Sequence, residues 1–443
     1  MSEKDDIRKE SRIPSFDKIN QDSLSPDEYH QFANDFFNIP KDQLQPLLHR
    51  LQKNYIPCIT INNQEDEILI IENIVSILSL EMPDDFFVLY CNILYLIINA
   101  SFRNSDKYKK LFKKYLSLFL QFLLSDNLMK ISSTLLIISM LTSLSKSLCI
   151  ATFRIIPTNL FYDFIIRSID IENVDIMSRS AHIVRNMFYV VEIKKIDDEI
   201  IEKLFKCVSI LCESNKILII PDIIKCVRDI IAKKPDFCSI IVNYKLIPYF
   251  NSYLLYNNED VQSYVLLIFQ QLIVNKIGQE DIDFFVIFQM IPEANKKISF
   301  PAIQIFSTFL QKFPDNTDIY FQLGGVSQLT KIFKEGAFEV KRQALNIVFS
   351  LLSNALPENK FLLIQMPNLI ESLIEMTNDV NQHLINLIFN ILKMIISIAD
   401  VFNYHNQIKE RFMESQNIDI LEDLANQEGT FADSVTQIFN SLS

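Results

Sequence analysis

Few side chains in this sequence have the types and spacing that catalysis or metal binding requires. The five histidines, at positions 30, 49, 182, 383 and 405, are far apart along the chain, so no metal cluster or catalytic triad is expected. Runs of acidic residues such as 84–85 and 197–199 are typical of solvated helix ends, and the five glycines do not form a phosphate-binding loop. We therefore expect no enzymatic activity, no cofactor and no bound metal.

The cysteines and the charge indicate the compartment and the class of partner. Seven cysteines, at positions 58, 91, 149, 207, 212, 226 and 238, show neither a CxxC pair nor zinc-site spacing. This pattern is typical of reduced, buried thiols, and we predict a cytosolic or nuclear protein. The net charge of −12 argues against nucleic acid or an anionic membrane as the partner.

A sequence pattern typical of a helix recurs along the chain. Equivalent positions fall at residues 99, 141, 186, 229, 271, 308, 349 and 390, so the intervals run from 37 to 45 residues. Armadillo and HEAT repeats have periods of roughly 40–47 residues. A repeat of this size cannot bury its apolar face alone, so neighbouring repeats must stack and create a long concave surface. Such a surface favours binding of peptides or proteins over catalysis.

Hydrophobic periodicity predicts helices throughout, with no convincing strand. Each repeat reads as a short helix, a middle helix and a longer third helix, and Pro248, Pro367 and Gly324-Gly325 mark the starts of middle helices. The apolar stretch 86–102 fits the period, so a buried repeat helix is predicted there in place of a membrane span. We predict a flexible tail at 1–26, then an all-α, armadillo-repeat, right-handed superhelical solenoid of about nine to ten repeats at 27–443.

The last third of the chain resembles the importin alpha family of armadillo proteins. Segment 337–344 (AFEVKRQA) is similar to the family's repeat opening, and segment 387–393 (LIFNILK) is similar to its L-E-N-I-L-K helix. Segment 417–424 (NIDILEDL) and a final helix through Phe439 and Leu442 follow in the family's order and spacing. The resemblance implies cargo binding by Trp and Asn residues four apart on third helices.

That spacing has a physical reason. Residues i and i+4 share one helix face, so an aromatic ring can pack beside a lysine stem while the amide bonds the peptide backbone. The resemblance assigns peptide binding here to Tyr95 with Asn99 and to His182 with Asn186. Elsewhere the equivalent pairs lack this chemistry: Ile137 and Leu141, Lys225 and Asp229, Leu267 and Gln271, Gln304 and Thr308, and Leu345 and Phe349. The chain has no Trp at all.

The resemblance implies a nuclear import adaptor that binds cargo signal peptides, including basic nuclear localisation signals, on its concave face. The family's importin-beta-binding segment is a dense Arg/Lys helix. Residues 1–26 carry mixed charges, so that segment is degenerate or absent and recruitment of importin beta by this route is not expected. The alternative is a divergent armadillo scaffold for protein–protein interaction without transport activity.

Overall fold

The computed structural model describes residues 64–101, 106–190, 196–214, 219–292, 295–378, 381–414, 418–426 and 431–442. The tail predicted at 1–26 lies outside the described residues. Every regular element within the described ranges is helical, with no strand, which confirms the all-α prediction. The chain divides into two compact units: unit 1 ends at Lys234 and unit 2 begins at Pro235.

Unit 1 is built from helix pairs and one helix triplet. Its described α-helices are α1 (Gln64–Leu78), α2 (Asp84–Ser101), α3 (Asp106–Leu123), α4 (Leu128–Leu144), α5 (Lys146–Ile155), α6 (Thr158–Asp170), α7 (Val174–Val190), α8 (Asp198–Ser214) and α9 (Ile220–Lys233). Only α5, α6 and α7 show the predicted pattern of short, middle and longer third helix. In two other repeats, a single long helix, α3 or α8, stands where a short and a middle helix were expected.

The reason for this difference is the absence of helix breakers. Segments 106–123 and 198–214 contain neither Pro nor Gly, so nothing interrupts their backbone hydrogen bonding. Between α5 and α6, in contrast, Pro157 has an extended backbone, and the two helices meet at an angle of 83°. The three-helix expectation was therefore wrong for the repeats that contain α3 and α8.

Unit 2 follows the predicted pattern in four of its five repeats, and in the other a 3-10 helix at Gln279–Asp281 takes the place of the first α-helix. Its described α-helices are α10 (Cys238–Asn243), α11 (Ile247–Tyr253), α12 (Glu259–Val274), α13 (Phe284–Gln289), α14 (Lys296–Lys312), α15 (Asp318–Gln322), α16 (Gly325–Glu335), α17 (Phe338–Asn354), α18 (Pro357–Ile364), α19 (Leu369–Glu375), α20 (Gln382–Val401), α21 (His405–Met413), α22 (Ile418–Asn426) and α23 (Ala432–Leu442). Short 3-10 helices lie at Pro235–Phe237, Gln279–Asp281, Pro314–Asn316 and Met376–Asn378. The described residues thus hold five repeats in unit 2 and four helix groups in unit 1, in keeping with the predicted number.

The helix breaks of unit 2 have local causes. Pro248 lies in the first turn of α11, where it displaces no helical hydrogen bond. Asn368 precedes α19 in a left-handed conformation with φ of 60°, and Pro367 lies just before it. Gly324 precedes α16 with φ of 85°, while a Cβ on Gly325 would come within 2.1 Å of the Tyr320 ring. The first glycine is required for its backbone angle and the second for space.

The last helix of each repeat, here called its third helix, forms the spine of each unit. In unit 1 the third helices α2, α4, α7 and α9 pack in sequence, and in unit 2 the third helices α12, α14, α17, α20 and α23 do so. First and second helices cover one side of each spine. The buried residues between them are mainly Ile, Leu, Val and Phe. The exposed and half-buried residues of each third helix form its remaining side, here called its open side.

Among the described residues, α20 alone is long and apolar enough by itself to cross a membrane, and α5 with α6 would qualify only as one bent span. Half of the most apolar window of α20 is buried against neighbouring helices. A core helix of a repeat stack has these same properties, so its length and composition are accounted for by packing.

Candidate peptide-binding surface

All eight equivalent positions of the sequence period lie on third helices. They are Asn99 on α2, Leu141 on α4, Asn186 on α7, Asp229 on α9, Gln271 on α12, Thr308 on α14, Phe349 on α17 and Asn390 on α20. The period therefore identified the correct helix in every repeat.

The same positions do not all reach the open side. Leu141 and Asn186 are buried, whereas Asn99 and Asn390 are exposed. The intervals vary by several residues, and each residue turns a helix by about 100°. A shift of one position therefore moves a side chain to another face, which a count of residues alone does not reveal.

Tyr95 and Asn99 lie one turn apart on α2 in unit 1. Asn99 is exposed and Tyr95 is half-buried. Burial raises the pKa of the Tyr95 hydroxyl, and the nearby Arg179 guanidinium partly offsets that rise in pKa. The chain itself therefore places a cation near Tyr95, although Arg179 Nη2 also lies 3.6 Å from Asp175 Oδ2.

His182 and Asn186 both lie on α7, but their side chains contact different neighbouring helices. Asn186 is 5% exposed, and its Nδ2 donates to Thr142 Oγ1 at 3.1 Å and to the Ser139 carbonyl at 3.4 Å on α4. His182 is half-buried, with Nδ1 3.9 Å from the Asp222 carboxylate on α9. The Asn186 amide is thus engaged within the stack, and of the four predicted residues only Asn99 is fully exposed.

Two arginines extend this set of ties between the third helices of unit 1. Arg179 Nη1 donates to the Ser132 carbonyl at 2.6 Å and to Ser132 Oγ at 2.7 Å. Arg185 Nη1 donates to Asp222 Oδ1 at 2.6 Å, and both side chains are about one-fifth exposed or less. The polar groups of α7 therefore connect it to α4 on one side and to α9 on the other.

The third helices of unit 2 carry amides on their open side. We define the amide strip as Gln304 on α14, Asn346 on α17, and Asn386 and Asn390 on α20. Gln304 and Asn346 are half-buried, whereas Asn386 and Asn390 are exposed, and no side-chain hydrogen bond ties any of the four to another described residue. Asn386 and Asn390 are four residues apart and so share a helix face. Sequence reasoning missed this pair, although the position four residues before Asn390 would have revealed it.

Aromatic and cationic side chains flank the amide strip. Phe349 is half-buried on α17, three residues after Asn346. Arg342 is exposed on α17, and Lys393 Nζ on α20 donates to Gln437 Oε1 on α23 at 2.7 Å. The strip therefore combines groups that bond a main chain, a ring that can pack a side chain, and positive charge.

The groups that could do chemistry elsewhere are dispersed or buried. No group of three or more His, Cys, Asp or Glu side chains able to hold a metal ion occurs in the part of the chain that the structure describes. The six described cysteines are buried free thiols, and burial raises the pKa of Cys149 and of Cys207 to about 12. Cys58 lies outside the described residues. These thiols are poor nucleophiles at neutral pH, because only the thiolate reacts.

Comparison with known proteins bears on the fold. No protein-family model matches the sequence, and no curated protein matches it. The crystal structure of an engineered protein from the Northeast Structural Genomics Consortium aligns with 94% of this chain and 98% of its own, at 10% identity and a TM-score of 0.66. Computationally designed armadillo repeat proteins for modular peptide recognition align with 55% of this chain and 99% of their own, at 11% identity and a TM-score of 0.44. The first alignment shows a shared fold, and the repeats described above make that fold an all-α, armadillo-like repeat.

Proposed function

We propose that this protein is a non-enzymatic scaffold that binds extended peptide segments along the open side of its third helices. The observation that carries the proposal is the amide strip, above all the exposed pair Asn386 and Asn390. A side-chain amide offers a donor and an acceptor together, which is what the N–H and C=O groups of an extended peptide require.

The packing around the strip supports this function. Third helices from successive repeats lie side by side, and in unit 2 the unbonded amides recur on three of them. Repetition allows a peptide to be held at several points along its main chain. Phe349 adds apolar contact for a side chain of the peptide, and aromatic residues are enriched in binding surfaces for this reason.

The direct test is the double variant Asn386→Ala/Asn390→Ala with a mixed library of extended peptides. Each lost amide–backbone hydrogen bond contributes about 0.5–1.5 kcal/mol, so we expect the affinity to fall roughly tenfold. The matched control is Gln289→Ala/Gln322→Ala, which removes two exposed amides from α13 and α15. Equal affinities for the two double variants would contradict the proposal.

A second candidate is a nuclear import adaptor, as the resemblance to importin alpha implies. The aromatic–amide pair Tyr95 and Asn99 favours it, because a ring and an amide one turn apart could hold a signal peptide. This candidate places the protein in both cytoplasm and nucleus. Arg179 next to Tyr95 counts against a lysine-rich cargo at that point, so we favour the scaffold.

Two measurements separate the candidates. A pull-down with a lysine-rich signal peptide, with Asn99→Ala as the control, should succeed only for an adaptor. Shuttling of a fluorescently tagged chain between cytoplasm and nucleus that depends on importin beta would also favour the adaptor. Peptide binding without either property supports a scaffold without transport activity.

A further inference from the structure

The amide strip of unit 2 lies on helix segments that lack carboxylates. Segments 263–274, 300–311, 342–353 and 383–397 contain neither Asp nor Glu, although the whole chain has 54 acidic residues and a net charge of −12. These four segments include the middle of α12, α14, α17 and α20. The strip is therefore locally uncharged or positive on an acidic protein.

The acidic residues of these helices are near their ends, and Asp400 in the last turn of α20 lies next to His405. Glu259 and Asp260 lie in the first turn of α12, and Glu339 lies in the first turn of α17. The positive end of the helix dipole stabilises carboxylates there. Asp260 also lies 3.7 Å from Lys297 at the start of α14. The carboxylates thus have a structural role away from the strip.

The positive charge along the strip is not neutralised by a described carboxylate. Arg342 is exposed on α17 and forms no ion pair within the described ranges. Lys393 on α20 donates to the neutral amide oxygen of Gln437 at 2.7 Å.

We propose that the amide strip selects extended protein segments rich in Asp and Glu, and rejects lysine-rich segments. The inference rests on the proposed function and specifies its partner. Electrostatic complementarity sets which partner is accepted, because like charges brought together weaken a wrong complex. Asn386 and Asn390 bond the main chain, while Arg342 and Lys393 attract the carboxylates.

The repeat geometry sets the length of the segment. Packed helices lie about 8–10 Å apart, and an extended chain advances about 3.3 Å per residue. Each third helix therefore spans about three peptide residues. A segment of about twelve residues would cover α12, α14, α17 and α20.

The experiment uses the full chain and three fluorescent twelve-residue peptides that differ at four positions, which are all Glu, all Gln or all Lys. Fluorescence anisotropy at low salt should give the tightest binding for the Glu peptide and the weakest for the Lys peptide. We expect a difference of about tenfold or more between these two, since several exposed charge pairs act together. The difference should narrow as salt is raised, because screening weakens exposed pairs.

Charge-reversal variants locate the effect. Arg342→Glu/Lys393→Glu should weaken the Glu peptide about tenfold and change the Gln peptide less than about twofold. The matched control is Lys331→Glu/Lys312→Glu. It makes the same change in net charge at two exposed lysines that are not part of the amide strip. An equal loss in the control would overturn the inference, because net charge alone would then explain it.

The remaining outcomes are also decisive. Tightest binding of the Lys peptide, or equal binding of all three, would overturn the charge preference and leave the peptide scaffold intact. No binding by any peptide would overturn the proposed function itself. Displacement of the Glu peptide by a short single-stranded RNA at equal concentration would assign the strip to polyanions in general and overturn the peptide assignment.

Discussion

Asn186 in unit 1 and Asn390 in unit 2 occupy corresponding positions of the repeat, yet their amides are used differently. Asn186 is buried and bonds Thr142 on the neighbouring third helix, whereas Asn390 is exposed on α20. The arginines follow the same division, since Arg185 pairs with Asp222 and Arg342 has no described ion pair. In unit 1 the Asn186 amide and the Arg185 guanidinium join third helices, whereas in unit 2 the Asn390 and Arg342 side chains bond no other described residue.

In unit 2 an aromatic cluster packs the third helix α14 against the shorter helices α13 and α15. The Phe306 ring contacts those of Phe284, Phe288 and Tyr320 at centroid distances of 5.5–5.8 Å. Aromatic pairs of this kind contribute beyond the area they bury. The cluster therefore joins α13, α14 and α15 by apolar contact.

The largest expected effect is the loss of this aromatic cluster. Phe306 is fully buried, so Phe306→Ala should lower the free energy of unfolding by about 3–5 kcal/mol. Urea unfolding followed by circular dichroism measures the change. The control is Phe349→Ala on the open side, which should cost much less. Comparable losses in the two variants would contradict the idea that this aromatic cluster is a main source of stability in unit 2.

A smaller effect is expected for the tie between α7 and α9. Arg185→Ala removes a hydrogen bond to the Asp222 carboxylate, so the free energy of unfolding should fall by about 1.5–3 kcal/mol. Arg342→Ala in unit 2 should change it by less than about 0.5 kcal/mol. Thermal and urea unfolding of both variants provide the comparison. Equal stability of the two variants would remove the distinction between the units.

The smallest change in stability is expected for the two corresponding amides, Asn186 and Asn390, which should differ in their effect on peptide binding. Asn186→Ala leaves the buried Thr142 hydroxyl without this donor and should cost about 1–2 kcal/mol, while peptide binding by unit 2 stays unchanged. Asn390→Ala should leave stability within about 0.5 kcal/mol of the unchanged chain and weaken peptide binding.

Cysteine alkylation shows where the stability is lost. The Cys149 Sγ lies 3.7 Å from the Asn186 carbonyl, and its raised pKa and burial protect it in the folded chain. Asn186→Ala should speed alkylation of Cys149 relative to Cys238 of unit 2, as read by mass spectrometry. Unchanged relative rates would show that unit 1 does not open locally on losing this tie.

The parts of the fold that sequence predicts are those set by neighbouring residues. Pro248 and Gly324 end one helix and begin the next through their own backbone preferences, so the break positions in unit 2 were predictable. The same logic, applied to the unbroken segments 106–123 and 198–214, would have predicted the single helices α3 and α8. The period also placed every marker residue on a third helix.

The use of each polar side chain was not predictable in this way. Whether Asn186 bonds a peptide or Thr142 depends on a helix more than 40 residues earlier in the chain. Tyr95 and Arg179 are likewise distant in sequence and close in space. A resemblance based on residue types predicts where along the helix a side chain lies. It does not predict which residue of the neighbouring helix that side chain will contact.

The length and apolar character of α20 have a consequence for how the chain is made. Its apolar faces are covered partly by residues that precede it and partly by α21 and α23, which follow it. As the ribosome delivers the chain from the amino end, α20 emerges before α21 and α23 exist. During that interval its uncovered face is open to chaperones and to aggregation, and α21 and α23 cover it once residues 405–442 have been made.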